Sequence, residues 1–524
     1  MGIEPYSGDW TEIQAAHLLR RTVFGANFNN IQFITDLGFE GSIDWLLRDL
    51  DLPDPPVNLD FMADPDVPVG ETWVDKPFNV INLTNNYRLR SLLGWTMGEF
   101  RNDDISIREK MVLFWHNHFV IGDLNDARYL YRYVTTLRNH ALGNFKTLTE
   151  EITIDPAMLR YLNGNSNTKN APNENYAREL MELFTLGKGE LAGPGDYTTF
   201  TEEDVIAVAK ILTGWTDFGY NNIIQPSFGS NFRPQQHDNS TKVLSHRFGN
   251  VSIDNAGENE YKNLLGVIFG RDEVALFICR KLYRYFVYYK IDEQTEAEVI
   301  VPMAELLREE NYELKPVIKI LLSSSHFYED DRIGCMIKNP IDYTSSIFTQ
   351  FDIEAFETPI ANQNLNLALY QFTALLQMQF FNPPSVAGWK AYYQEPSYYQ
   401  LWINSVTLPL RRLVTDLLST TGVNIGDMNR GIETLTVIEN LTNPYDINTI
   451  ISDLNLLMLP KPLSTNQKDL LKEIVLQGLP DFEWTEEYNI YLANPNDNMA
   501  KKANEDKLKK LFLYMMRMPE YQLS

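Results

Sequence analysis

The chain has 524 residues, with 45 Lys and Arg against 70 Asp and Glu, so its formal net charge is −25. Binding to phosphate or to anionic lipid needs clustered Lys and Arg, so this charge argues against a general nucleic-acid binder and against docking on a charged membrane. The two cysteines, Cys279 and Cys335, exclude a disulfide framework and a zinc site built from several cysteines. A hydrophobic content of 44% is ample for a packed core.

The first residues, MGIEPYSGDWTEIQ, lack the basic stretch and apolar run that mark a secretory signal peptide. No stretch reaches the roughly 18 apolar residues that a transmembrane helix needs. We therefore expect a protein that stays in the cytoplasm and does not insert into a membrane.

Helical periodicity dominates the chain from Trp10, where the pattern WTEIQAAHLLRRTVFG ends at Gly25. An irregular connection rich in Pro and Asp follows at 51–72. Strand signals are few and short, so we predict a mainly α fold, a large multi-helix bundle. Further helices are predicted at 80–100, 104–120, 125–141, 155–163, 173–186, 202–213, 257–269, 272–289, 299–309, 314–323, 338–351, 363–378 and 397–419.

Residues 215–250 interrupt the helical pattern. The runs FRPQQHD and TKVLSHRF flank Asn239-Ser240, which predicts a short β-hairpin or an extended loop pair that forms a lid. Residues 424–524 mix short helices with breaks rich in Asn and Pro. We predict a helical core over 1–423 and a C-terminal helical subdomain over 424–524 packed on it.

The segment REKMVLFWHNHF carries two histidines, His116 and His118, at the end of a helix whose residues Met111 to Trp115 are all apolar. On a regular helix, side chains two positions apart point about 200° from each other, so both bind one metal only if the last turn unwinds. The alternative is structural: one histidine bonds helix-terminal carbonyls and the other is hydrogen-bonded in the core.

A second polar group lies along the segment NENYARELMEL, where Glu174, Arg178 and Glu182 follow one another at a spacing of four residues. Glu179 lies beside this ridge, three residues before Glu182. Carboxylates with an arginine between them suit a cation or a general base. The alternative is the solvated acidic face of an ordinary amphipathic helix.

A third pair, His237 and Asp238, lies in the predicted loop element, with Lys242 four residues after Asp238. A His-Asp pair on a loop can enter a cleft from outside. The alternative is a turn in which Asp238 bonds nearby backbone. The sequence has no HExxH, GxSxG, P-loop or CxxC motif that would assign a known chemistry to these residues.

Several long runs resemble the bacterial family called domain of unknown function 1800. They span nearly the whole chain and are AAHLLRRTVFG, REKMVLFWHNHF, LRNHALGNF, DPAMLRYLNG, APNENYARELMELFTLG, the TEEDV and LTGW elements, HDNSTKVL, RKLYRYFV, FNPPSVAGW and MPEYQ. The resemblance implies one continuous helical unit and gives no reaction. Members of the family are often encoded beside an exported protein of the sulfatase superfamily, which implies a protein partner. The candidate residues named above match motif positions of the family.

Two interpretations follow from these residues. In the first, the protein is a metal-dependent enzyme of hydrolase type with Zn, Mn or Fe between helices. Its ligands would be His116, His118, Glu179, Glu182 and His237, Glu174 or Asp238 would be the general base, and Arg178 would orient an anionic group.

In the second interpretation, the protein is a non-catalytic binding or assembly partner, and its polar residues form a structural network. The aromatic segment YYQEPSYYQLW at 392–402 would then be an interaction surface. The metal content of the purified protein separates the two interpretations.

Overall fold

The computed structural model describes residues 2–79, 81–102, 104–353, 356–389, 402–425 and 428–524. Its fold is mainly α, as predicted, and no helix in these ranges is both long and apolar enough to cross a membrane. Apart from Trp402, the aromatic segment 392–402 lies outside the described residues.

Most helices lie in the predicted ranges, but those at 28–36, 38–46 and 145–153 were not predicted, and the helix predicted at 397–419 begins at Thr407. The first eight are α1 Glu12–Thr22, α2 Phe28–Asp36, α3 Gly38–Leu46, α4 Asn82–Arg101, α5 Arg108–His118, α6 Ala127–Asn139, α7 Phe145–Thr153 and α8 Pro156–Tyr161. The next seven are α9 Glu174–Glu179, α10 Glu202–Ile211, α11 Glu260–Ile268, α12 Asp272–Phe286, α13 Glu293–Thr295, α14 Val301–Glu309 and α15 Leu314–Leu322. The last are α16 Pro340–Gln350, α17 Pro359–Leu375, α18 Thr407–Thr420, α19 Thr434–Glu439, α20 Ile447–Met458, α21 Thr465–Leu476, α22 Phe482–Ala493 and α23 Asn498–Arg517. Two π-helices, Leu180–Thr185 and Glu296–Ile300, continue α9 and α13.

The described strands are short and pair only two by two, all antiparallel. The pairs are β1 Leu191–Gly193 with β2 Asp196–Tyr197, β3 Trp215–Phe218 with β4 Gly229–Phe232, β5 Lys242–Val243 with β6 Ser252–Ile253, and β7 Val423–Ile425 with β8 Met428–Arg430. The predicted pairing across Asn239-Ser240 does not form. The Asp238 carboxylate instead accepts a hydrogen bond from the Ser240 amide at 2.8 Å, which makes a local turn.

The start of α10 shows how local sequence determines a helix boundary. The Thr201 hydroxyl accepts from the Asp204 amide at 3.3 Å, and the Asp204 carboxylate accepts from the Thr201 amide at 2.8 Å. This reciprocal cap satisfies two amides that the first turn leaves unbonded. Asp204 also accepts from the amide and hydroxyl of Ser245, so the cap fastens the loop segment to the helix.

The core continues from the N-terminal helices into the C-terminal region. Phe114, Trp115 and Leu180 are buried, as their helical positions predict. The rings of Phe351 and Phe512 lie 5.6 Å apart, so α23 packs directly on the end of α16. Residues of the predicted C-terminal subdomain therefore share one apolar core with the preceding helices.

Candidate functional site: a buried polar junction at the end of α5

Helix α5 is buried on nearly all sides, and its charged residues are paired. Glu109 accepts two hydrogen bonds from Arg138 at 2.7 and 2.8 Å. The Lys110 ammonium lies 2.8 Å from the Asp342 carboxylate. A charge without a partner would be costly at such a depth. These pairs fix the start of α5 and thereby determine where its last residues lie.

His118, the last residue of α5, bonds to the C-terminal end of another helix. Its Nε2 lies 3.0 Å from the carbonyl oxygen of Phe184, in the π-helix that continues α9. The Lys281 ammonium nitrogen lies 2.9 Å from His118 Nδ1 and 3.2 Å from the carbonyl oxygen of Leu183. The last carbonyls of a helix have no partner within it, so His118 and Lys281 together satisfy two of them.

The two residues before His118 bind a different segment. The Phe381 amide donates to His116 Nε2 at 2.7 Å, and the Trp389 amide donates to the Asn117 side-chain oxygen at 3.1 Å. His116 and Asn117 thus hold both ends of the motif FNPPSVAGW. Because Gly388 has a positive φ of 91° and its Cα faces Asn117, a side chain there would collide with the amide.

Both histidines are held in the neutral form. Burial lowers the pKa of His116 to about 3. Burial, together with the charge of Lys281, lowers the pKa of His118 well below its ordinary value. Burial also lowers the pKa of Lys281 to about 7, with a smaller effect from Arg284. These perturbed groups are accounted for by burial at a helix junction.

The acidic ridge of α9 pairs outward with neighbouring segments. Arg178 makes two hydrogen bonds to Glu202 of α10, at 2.9 and 2.6 Å, and Glu182 lies 3.5 Å from Lys188. Glu174 is exposed in the first turn of α9. Burial and the charge of Glu182 raise the pKa of Glu179 to about 7. The ridge therefore behaves mainly as a partly exposed face that links α9 to α10.

His237 lies in a separate buried cluster. Its Nδ1 is 2.8 Å from the carbonyl oxygen of Thr213, and its Nε2 is 2.9 Å from a carboxylate oxygen of Glu260. The other Glu260 oxygen lies 2.6 Å from the Lys242 ammonium. Asp238 is partly exposed; its backbone carbonyl accepts a hydrogen bond from the Lys242 ammonium, whereas its carboxylate lies 3.8 Å from that group. This cluster fastens the loop 237–242 to the start of α11.

The predicted ligands therefore do not meet at one point. In the described part of the chain, no three His, Cys, Asp or Glu residues are arranged to hold a metal ion. The physical reason is that consecutive side chains of α5 point in different directions, and each has found a backbone partner instead. Three residues that make polar contacts at the end of α5 and in the His237 cluster were not selected from the sequence. They are Asn117, Glu260 and Lys281. No local signal marks Lys281, because Arg280 and Arg284 lie close to it in the same part of α12.

The fold and its junction define a large helical protein whose polar motifs join distant helices and loops. Residues 17–523 match the family model described as protein of unknown function (DUF1800), so the chain belongs to this family. No curated protein and no solved structure matches the chain.

Proposed function

We propose that this chain is a non-catalytic binding or assembly protein and that its His, Asn and Glu motifs stabilise the fold. The observation that supports the proposal is the end of α5. There His116, Asn117 and His118 each bond a backbone group of another segment. A group used in this way contributes to the position of helices, because removing it leaves a buried backbone donor or acceptor without a partner.

The hydrogen-bond directions argue for this role over metal coordination. A metal ligand needs a free lone pair on the imidazole nitrogen. The lone pair of His116 Nε2 accepts from the Phe381 amide. His118 Nε2 faces a carbonyl oxygen and therefore carries the proton, while its Nδ1 accepts from Lys281. Binding of Zn, Mn or Fe by either ring would have to break one of these bonds.

The partner class we propose for the assembly role is a protein of the sulfatase superfamily, which the family resemblance implies. A chain with a net charge of −25 would favour a basic surface on such a partner. Co-elution of the two purified proteins in size-exclusion chromatography, weakened by added salt, tests this step. Separate elution at low salt would contradict it.

The decisive experiment combines elemental analysis with thermal unfolding. We expect wild-type protein to carry no stoichiometric metal. His118→Ala should lower stability by about 1–3 kcal/mol, because it leaves the Phe184 carbonyl without its imidazole partner and removes one of the groups that Lys281 bonds. His246→Ala is the matched control, since this histidine side chain is 60% exposed.

Glu179→Gln provides a second measurement. Glutamine resembles the protonated carboxyl, and the pKa of Glu179 is already raised to about 7. The variant should therefore melt close to the wild type. Near-stoichiometric, chelator-sensitive metal that both variants lose, with unchanged melting, would overturn the proposal in favour of a metal-dependent enzyme.

A further inference from the structure

A cavity of about 100 Å³ lies between α1, α5, α12 and α16, apart from the acidic ridge and the His237 cluster. Among the described residues, four basic side chains line it, those of Arg20, Arg21, Lys110 and Arg284, together with one acidic side chain, Asp342. A positive cavity wall is unexpected in a chain whose net charge is −25. The cavity therefore calls for an explanation in terms of what it holds.

Two of these basic side chains, Arg20 and Arg21, are held by carbonyl groups and not by carboxylates in the described part of the chain. Asp342 is 2.8 Å from Lys110. The guanidinium groups of Arg20 and Arg21 bond to carbonyl oxygens, those of Leu456 and Arg332. Among the described residues, neither arginine has a carboxylate at ion-pair distance.

Two buried donors in the wall have no acceptor in the part of the chain that the structure describes. They are the indole Nε1 of Trp389 and the Nε of Arg21, on side chains that are only 3% and 4% exposed. A buried donor without a partner costs about 1–3 kcal/mol. The bond from the Trp389 amide to Asn117 holds the backbone of this residue at the wall.

The neighbouring lysine responds to the same excess of positive charge. Burial lowers the pKa of Lys338 to about 7, and the cations Arg20, Arg411 and Lys110 lower it further against the opposing effect of Asp342. An anion in the cavity would relieve this repulsion. Trp402, Tyr285 and Met378 add aromatic and apolar surface to the wall, which suits an organic body beside the charged group.

We propose that this cavity binds a small organic anion through its carboxylate or phosphate group, which accepts hydrogen bonds from Trp389 and Arg21. Guanidinium groups match the planar geometry of such oxyanions, and the helix α16 begins at the same wall with its positive end. The site goes beyond the role proposed for the polar motifs, because it assigns the protein a class of small ligand.

Isothermal titration calorimetry at constant ionic strength tests the proposal with benzoate, phenyl phosphate and the uncharged benzyl alcohol. We expect saturable one-to-one binding of at least one anion and none of the alcohol. A carboxylate preference and a phosphate preference both support the site and identify its ligand group. Trp389→Phe should weaken anion binding about tenfold, since it removes one hydrogen bond to a charged acceptor.

The matched control is Trp10→Phe. Trp10 also has a buried indole nitrogen without a partner in the described chain, but it does not line the cavity. This variant should bind the anion as the wild type does. If Trp389→Phe fails to fold, Arg20→Gln takes its place, and weaker binding is again expected.

Three outcomes would overturn the inference: no saturable anion binding, equal binding of benzyl alcohol, or wild-type affinity in both a folded Trp389→Phe and a folded Arg20→Gln. The test is independent of the metal analysis. Stoichiometric metal with intact anion binding would refute only the proposed function, and absent metal without anion binding would refute only the cavity proposal.

Discussion

The Nε2 of His118 lies 3.0 Å from the carbonyl oxygen of Phe184, although the two residues are 66 positions apart in the chain. The contact joins the end of α5 to the end of the π-helix that follows α9. Lys281 of α12 completes it from the other side of the imidazole. Three helical segments thus meet at one neutral histidine, and the stability of the protein should depend on the groups around it.

Leu180→Ala should destabilise the protein by about 2–5 kcal/mol, because the side chain is 1% exposed and its removal leaves a cavity in the core. Urea titration measures the loss. Leu191→Ala is the control, since Leu191 is 65% exposed and should change stability little. Equal stability of the two variants would mean that the start of the π-helix is not part of the core.

The free energy of unfolding should rise between pH 7 and pH 10, partly because of Lys281. Folding lowers the pKa of this lysine from 10.5 to about 7, so the native state binds fewer protons than the unfolded state in this range. Above pH 10.5 the lysine is neutral in both states and does not lower the free energy of unfolding. As the pH falls from 10.5 toward 7, protonation of the unfolded state lowers this free energy by about 1.4 kcal/mol per pH unit.

Lys281→Met should remove this part of the slope, whatever it does to stability at a single pH. Lys169→Met, at an exposed position, should keep the wild-type slope. Chemical denaturation at four pH values gives both slopes. Parallel pH profiles for the wild type and Lys281→Met would show that the lysine is charged in the folded protein.

Gly388→Ala should cost more than about 2 kcal/mol. The residue has a φ of +91°, and a Cβ would collide with the side-chain oxygen of Asn117. Gly266→Ala should have the opposite effect, because this helical glycine has open space around it. Alanine there should stabilise the protein by about 0.5–1 kcal/mol. Differential scanning calorimetry of both variants measures the two melting temperatures. Shifts in the same direction would contradict the prediction.

Glu260→Gln should destabilise the protein by about 3–5 kcal/mol, because it removes the buried anion that lies between His237 and Lys242. Adding Lys242→Met should recover part of the loss, since it removes an unpaired buried cation. Glu258→Gln, at an exposed position two residues earlier, serves as the control in the same urea titrations. Wild-type stability of Glu260→Gln would show that this ion pair does not hold the loop.

The sequence predicts what depends on neighbours along the chain. The helix α5 is such a feature, and it is confirmed. The reciprocal cap of Thr201 and Asp204 also depends only on residues close in the chain. The partners of the two histidines were not predictable in this way, because they are backbone groups at a separation of 66 residues for His118 and 265 for His116. Nearly every residue has the same backbone groups, so the sequence does not show which of them a side chain will bond.

Residues 215–250 also show which features the local sequence predicts and which it does not. A break in helical periodicity over 215–250 predicted extended structure, and β3, β4 and β5 lie there. The turn at Asn239-Ser240 was wrong as a hairpin because His237 is drawn into the core by Glu260, which lies on the far side of β6 in the chain. A long-range hydrogen bond therefore accompanies a loop structure different from the one that the local turn residues suggested.

Three successive side chains at the end of α5 have three separate targets, and this gives the helix a fixed rotational setting. One residue inserted within α5 would turn its end by about 100° and shift it by about 1.5 Å. Phe381, Trp389 and Phe184 would then lose their partners together. A substitution at a single position removes the contacts of that residue alone, so this helix should tolerate changes of residue far better than changes of length.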